Sequence, residues 1–280
     1  ARVVGERSVF DEVDQIGNRP VFTHFPRLQH LVQPSARRHS NRTSVNKPLW
    51  QMRPEPFDPR TVDTWVFDLD NTLYPARSNL FVQVSARMTR FIQDRFDLEA
   101  GPAKDLQRDL FRRHGTTLRG LMSEHGVEPV AFLDYVHDID VTPVDPSPRL
   151  DALLAALPGR KLVFTNGSVP HAERVMDRLG VTRHFESVFD IVAAGYVPKP
   201  DPGPYDRLVE TAGIVPERSV MIEDMAKNLA PAAALGMRTV WLRSDHDWAR
   251  DGAEDDHVHH VAEDLVAFLE SLPGAVAEPR

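Results

Sequence analysis

The chain has 280 residues, 41% of them apolar and 26% charged, with a formal net charge of −8 and no cysteine. Those proportions suit a globular protein and exclude a coiled coil, a collagen and a wholly disordered chain, while the missing thiols exclude disulfides, zinc–thiolate sites and cysteine nucleophiles. The acidity is uneven: residues 1–60 carry ten Lys/Arg and six Asp/Glu, and residues 61–280 carry twenty-three and thirty-five, so the body lacks the basic face that a nucleic-acid polymer requires.

Residues 1–60 show no sustained apolar period, and Pro20, Pro26, Pro34, Pro48, Pro54, Pro56 and Pro59 interrupt them. They read as a flexible N-terminal extension; an interaction or oligomerisation arm is the alternative. The opening Ala1–Glu6 has no apolar h-region, so no secretory leader is expected and the cytoplasm is the expected compartment. The longest apolar runs, such as Trp65–Phe67, Leu162–Phe164 and Ile191–Ala194, fall far short of the roughly 18 residues of a membrane span.

From Thr61 the texture changes. Thr64–Phe67 reads as a buried strand, followed at once by Asp68-Leu-Asp-Asn-Thr72. Helical spacing then runs through Phe81, Val84, Met88, Phe91 and Ile92, with Ser78 as the expected cap. Leu106, Leu110 and Phe111 mark a second helix closed by Gly115, Leu118, Leu121 and Met122 a third closed by Gly126, and Val130, Leu133 and Val136 a fourth. After Pro148 strands and helices alternate. Strands are expected at 161–165, 189–193, 219–222 and 239–242. Helices are expected after Ser168, around Tyr205–Ala212, at 228–235 and at 262–270. Such alternation calls for an α/β fold with a doubly wound, Rossmann-like parallel sheet, here carrying an inserted four-helix segment. The expected division is an extension at 1–60, a core from 61–77 and 147–280, and a helical cap at 78–146.

Four polar clusters each follow an expected strand, which places them on the carboxyl rim of one sheet. In the first, Asp68 and Asp70 lie two apart behind an apolar strand, costly to bury without a cation. One carboxylate can attack phosphorus and the other can shuttle a proton, although a solvated turn or a helix cap would use the same residues. Thr165-Asn166-Gly167 precedes a helix start that could hold phosphate oxygens or be ordinary capping. Lys199 stands between Pro198 and Pro200, a held ammonium or a surface lysine in a proline-rich loop. Glu223-Asp224, with Asn228 beyond, could complete an oxygen-rich Mg²⁺ site with Asp68 and the Asp70 carbonyl, or cap a helix. His246, His257, His259 and His260 with their neighbouring aspartates read as a polar loop, since no regular spacing points them together.

Taken together, the order and context of the four clusters resemble the haloacid dehalogenase-like hydrolase superfamily from about Thr61 to Leu272. Six strings look like its pyrimidine 5′-nucleotidase branch: Phe67–Pro75, His114–Leu121, Val136–Asp138, Phe164–Asn166, His171–Val175 and Glu223–Leu229. The resemblance implies a Mg²⁺-dependent phosphohydrolase of a small phosphomonoester. Asp68 would be nucleophile and metal ligand, and Asp70 the acid/base that lends its carbonyl to the metal. Thr165, Asn166, Gly167 and Lys199 would bind the phosphoryl group, with Thr165 and Lys199 counted as catalytic. Asp224 would bind Mg²⁺ with Glu223 direct or through water, and Asn228 stands where many relatives carry an acid. Dehalogenating relatives lack the second acid, because a leaving halide needs no proton. A pyrimidine nucleoside 5′-monophosphate is the expected substrate, met in the cap by some of Tyr74, Thr116, Thr117, Tyr135 and His137. The alternatives are a phosphatase or mutase for a sugar phosphate or another metabolite, and a non-catalytic ligand-binding homologue. The expected assembly is a monomer or homodimer.

Overall fold

The computed structural model describes residues 58–244 and 249–274; the expectations for residues 1–57 and for His246 lie outside them. Its elements in chain order are β1 (Thr64–Phe67), α1 (Leu80–Phe96), α2 (Ala100–His114), α3 (Thr117–His125), α4 (Pro129–His137), α5 (Pro148–Ala156), β2 (Arg160–Phe164), α6 (Val169–Leu179), β3 (Ser187–Phe189), α7 (Pro202–Ala212), β4 (Ser219–Glu223), α8 (Ala230–Ala234), β5 (Arg238–Leu242), β6 (His260–Ala262) and α9 (Leu265–Ser271). Among the described residues no helix is long and apolar enough to cross a membrane.

The six strands form one parallel sheet in the order β3-β2-β1-β4-β5-β6. β1 is buried along its whole length because both faces are covered, which is why it reads as an unbroken apolar run rather than an alternation. The two-residue period of the strands sorts their side chains between two cores. Trp65, Phe67, Val163, Ile222 and Val240 pack with α5, α6 and α9. Val66, Leu162, Phe164, Met221 and Trp241 pack with α7 and α8 on the other face. Helices α1–α4 bury a third core around Ile92, Leu110, Leu121, Phe132 and Val136.

Several local expectations shift. The first inserted helix is entered through Asn79, at φ 57°, and not through Ser78. The strand expected at 189–193 stops at Phe189, because Asp190 turns the chain: its side chain accepts from the backbone N–H of Ala193 (2.8 Å) and Val169 (3.0 Å). α5, capped by Ser147, and the short edge strand β6 were not expected. The segment 228–235 is split into a 3₁₀ turn over Ala226–Leu229 and the single α-turn α8.

Candidate active site

β1 and β4 run side by side at the sheet centre, so the residues after them meet. The backbone N–H of Asp68 continues the ladder to the Ile222 carbonyl (2.9 Å). Leu69 is fully buried and anchors a turn in which Leu73 N–H bonds Leu69 O (3.0 Å), while Asn71 takes φ 62°. Asparagine is among the few side chains that accept this left-handed conformation readily. Asp68 and Asp70, on either side of Leu69, both line one cavity of about 490 Å³ between the sheet rim and α1–α4, as do Thr165, Asn166, Lys199 and Asp224.

Lys199 is the centre of charge. Its Nζ lies 2.7 Å from Asp68 Oδ1 and 3.2 Å from Glu223 Oε1 and donates to the Phe164 carbonyl (2.9 Å), with 1% of the side chain exposed. Its backbone N–H is held by Asn166 Oδ1 (2.9 Å), which leaves the Asn166 NH₂ as that side chain's remaining donor. Burial opposes the ammonium charge, but Asp68 and Glu223 overcome it and push the lysine up. Burial and then the Glu223 charge push the Asp68 carboxyl up against the pull of Lys199. Burial and the charges of Glu223 and Asp68 do the same to Asp224.

The site therefore holds more negative charge than its lysine balances. Oxygens of Asp68, Glu223 and Asp224 lie within 4.8 Å of one another, and they are the grouping among the described residues that could hold a metal ion. Asn228 donates to Glu223 Oε1, while its own Oδ1 is buried without a hydrogen-bond partner. A set of hard oxygens with a surplus of charge fits a divalent cation such as Mg²⁺. The frame behind it is fixed by Trp241 Nε1 donating to Asp224 O (2.8 Å) and Tyr205 OH donating to Asn228 O (2.5 Å).

Asp70 sits in a different environment. Tyr74 OH donates to its Oδ1 (2.6 Å), and His171 Nε2 lies 2.9 Å from the same oxygen. Burial would raise this carboxyl, but the His171 charge and the hydrogen bonds from His171 and Tyr74 hold it down at about 2. Both contacts fall on Oδ1, so Oδ2 is the oxygen left to exchange a proton. His171 is itself fully buried and stacks on His137 of α4 (centroids 4.5 Å apart, planes 11°). Burial and then the His171 charge lower His137 to about 3.

Thr165 and Gly167 are brought to the rim with Asn166, and the backbone N–H of each is in use, that of Thr165 on the Phe189 carbonyl (3.0 Å). Gly167 N–H bonds Thr165 Oγ1 (2.9 Å), and Val169 N–H bonds Asp190. Ser168 occupies the N-cap position of α6 without capping it; its hydroxyl pairs with His137 Nδ1 (2.9 Å). A side chain at Gly167 would press on Thr165 Oγ1 and the His171 ring, at 3.2 and 3.3 Å from its Cβ. Of the cap side chains expected at the leaving group, Thr116, Thr117 and His137 line the cavity. Tyr74 is turned to Asp70, and Tyr135 packs against Phe91 and under Arg87. In the sequence His171 is marked only by the family resemblance of His171–Val175. The signal that could have found it is its place three residues into α6 on the buried face shared with Ala172 and Val175.

A parallel sheet with buried acids at the carboxyl ends of its central strands, facing an inserted helical layer across a cavity, defines an α/β protein with its candidate site at the sheet rim. A family model described as haloacid dehalogenase-like hydrolase matches residues 62–236, and the chain belongs to that family. Among solved structures it is similar to a phosphatase of this superfamily from Thermococcus onnurineus (TM-score 0.53, 16% identity, 76% of this chain and 99% of that one). It is also similar to a defluorinating L-2-haloacid dehalogenase (TM-score 0.50, 16% identity, 78% and 99%). Identities this low speak for a shared fold only.

Proposed function

We propose that the protein is a Mg²⁺-dependent phosphohydrolase that cleaves a small phosphomonoester through an aspartyl-phosphate on Asp68. The observation that carries this reading is the second acid: Asp70 lines the same cavity as Asp68 and keeps Oδ2 free of hydrogen bonds. A leaving alkoxide needs a proton and a leaving halide does not, so Asp70 favours ester cleavage over dehalogenation.

In this scheme an Asp68 carboxylate oxygen attacks phosphorus and the bond to the ester oxygen breaks. Lys199, 2.7 Å from Asp68, holds the nucleophile and faces the charge that develops on the phosphoryl oxygens. The dianionic phosphate entering beside Asp70 pushes that carboxyl up from its resting value. Its acid form then passes a proton through Oδ2 to the leaving oxygen, and the carboxylate so formed later takes a proton from the water that attacks the aspartyl-phosphate. Thr165 through its hydroxyl, Asn166 through its NH₂ and Gly167 through an N–H released from Thr165 Oγ1 hold the phosphoryl group. Asp68, Asp224, the Asp70 carbonyl and Glu223, direct or through water, would hold Mg²⁺. When bound, Mg²⁺ supplies positive charge that neutralises the phosphate and the surplus of carboxylates.

The leaving group we propose first is a pyrimidine nucleoside, on the resemblance of the cap strings; a sugar phosphate or other metabolite is the alternative. The division into core (61–77 and 147–280) and cap (78–146), a monomer or homodimer, and a cytoplasmic setting belong to the same proposal. Phosphate release from UMP, CMP, AMP, GMP and β-glucose 1-phosphate, with and without EDTA, tests it. We expect UMP and CMP to lead, and Asp68→Asn to lose at least about 10³ in kcat with its fold intact. Activity that survives Asp68→Asn or EDTA would sink the scheme. Equal kcat/KM for UMP and AMP, or glucose phosphate ahead of both, would remove the nucleotide and leave the phosphatase.

A further inference from the structure

The cavity that begins at Asp68 extends into the inserted helices, and its inner wall is apolar. Phe81, Met88, Phe111, Leu118, Phe132 and Val136 line it. Two of these, Phe81 and Phe111, keep 41% and 36% of their surface exposed. Apolar surface left in water beside a reaction centre is covered when a ligand of matching character arrives.

Four polar side chains set among these residues have partners within the protein, while Asn71, Arg112 and Lys227 also line the cavity. Gln107 donates from Nε2 to Ser85 Oγ (3.1 Å) and accepts at Oε1 from Thr89 (2.5 Å). Thr117 donates to the Gln107 carbonyl (3.4 Å), and Thr116 Oγ1 accepts from Arg119 N–H (3.2 Å). His137 Nδ1 is taken by Ser168. A hydroxyl set against Phe81, Met88, Phe111, Phe132 and Val136 would lose its water with no donor or acceptor on those side chains to replace it, an unfavourable exchange. A flat ring would lose little water and cover the two phenylalanines.

We propose that the chamber selects phosphomonoesters whose leaving group carries a flat, largely apolar ring, and that it discriminates against polyol phosphates. The inference rests on the phosphohydrolase reading above, since the ester is placed by Asp68, Thr165 and Lys199 at the other end of the same cavity. The ring could be a nucleobase carried on ribose or an aryl group carried on a short alcohol, and the chemistry shared by the two is what the wall recognises.

The test compares kcat/KM for benzyl phosphate, glycerol phosphate and UMP in the full chain with Mg²⁺. Benzyl and glycerol phosphate both expel a primary alkoxide, so their difference reports the chamber more than the bond broken. Benzyl phosphate should lead glycerol phosphate by about tenfold or more, the scale of one well-filled apolar subsite. UMP ahead of benzyl phosphate assigns the ring to a nucleobase, and UMP behind it assigns the ring to an aryl alcohol; both support the selection. In Phe111→Ser the benzyl-to-glycerol ratio should fall at least about fivefold, and because it is a ratio within one preparation it does not depend on the folded fraction. Glycerol phosphate equal to or ahead of benzyl phosphate, or a ratio unchanged by Phe111→Ser, overturns the inference while leaving the phosphatase. No phosphate from any ester overturns both.

Discussion

Replacing Lys199 with Met removes the cation at the centre of the site and keeps a side chain of similar length. In the protein as it stands, the ammonium is 2.7 Å from Asp68 and 3.2 Å from Glu223, and the oxygens of Asp68, Glu223 and Asp224 lie within 4.8 Å of one another. All four side chains are nearly sealed from water. Deleting one partner of a buried ion pair costs about 3–5 kcal/mol, because the partners left behind stay charged and dry. For a domain of this size each kcal/mol moves Tm by roughly 2–4 °C, so Lys199→Met should melt about 10 °C lower at pH 8 without divalent cation. The deficit should shrink toward pH 5. Without the lysine the Asp68 and Asp224 carboxyls sit further above their ordinary values, so the native state binds protons that the unfolded chain releases, and stability is lost as pH rises. Scanning calorimetry at pH 5 and pH 8 reads both effects. A fall below about 3 °C at pH 8, or the same deficit at both pH values, would show that Lys199 does not balance these carboxylates.

Three further outcomes follow from the same geometry. Millimolar Mg²⁺ should raise Tm by the linkage between binding and folding, and Asp224→Asn should reduce that rise severalfold in thermal melts; an equal rise in the variant would remove Asp224 from the metal site. Tyr74→Phe deletes the 2.6 Å bond that helps hold Asp70 at about 2, so the basic limb of the kcat profile, where Asp70 loses the proton it gives to the leaving oxygen, should move to higher pH, and an unmoved limb would separate Tyr74 from the proton transfer. Burial, then Arg238 and His259, lower His260 to about 4. Its neutral form is therefore favoured in the fold, and the stability it contributes is present above pH 6.5 and lost as pH falls from there toward 4. His260→Phe should lose less Tm than the parent across that window.

What was legible in the sequence, and what was not, follows from the range of the forces involved. Asp68, Asp70, Glu223 and Asp224 stood out because carboxylates directly behind apolar strands are costly to bury, and a parallel sheet brings strand ends together however distant they are in the chain. The helices α1–α4 were legible because amphipathic spacing is a local property. Asp190 was not: its neighbours Ile191–Ala194 look like a strand, but two bonds from one carboxylate to the N–H groups of Val169 and Ala193 outweigh that pattern. β6 escaped notice because His260-Val-Ala262 is a short edge strand whose place depends on pairing with Val240–Leu242.

The same reasoning explains why the supports of Asp70 stayed hidden. Ser168 was correctly placed at the start of α6, yet its hydroxyl goes to His137, a residue 31 positions away. His137 in turn stacks on His171, whose Nε2 meets Asp70 101 positions away in sequence. No local pattern marks a histidine for that role, because a buried histidine on a helix face is equally suited to packing. What distinguishes His171 is that its hydrogen bond and that of Tyr74 converge on one oxygen of Asp70. Two carboxylates two residues apart thereby acquire opposite characters: Asp68 is pushed up by burial and a neighbouring charge, and Asp70 is held down by donors. In the free site the proposed nucleophile is therefore the more basic of the two carboxyls, an order that phosphate beside Asp70 and a cation on Asp68 would reverse. Here the separation comes from burial and Glu223 at Asp68 and from His171 and Tyr74 at Asp70, and Lys199 works against it.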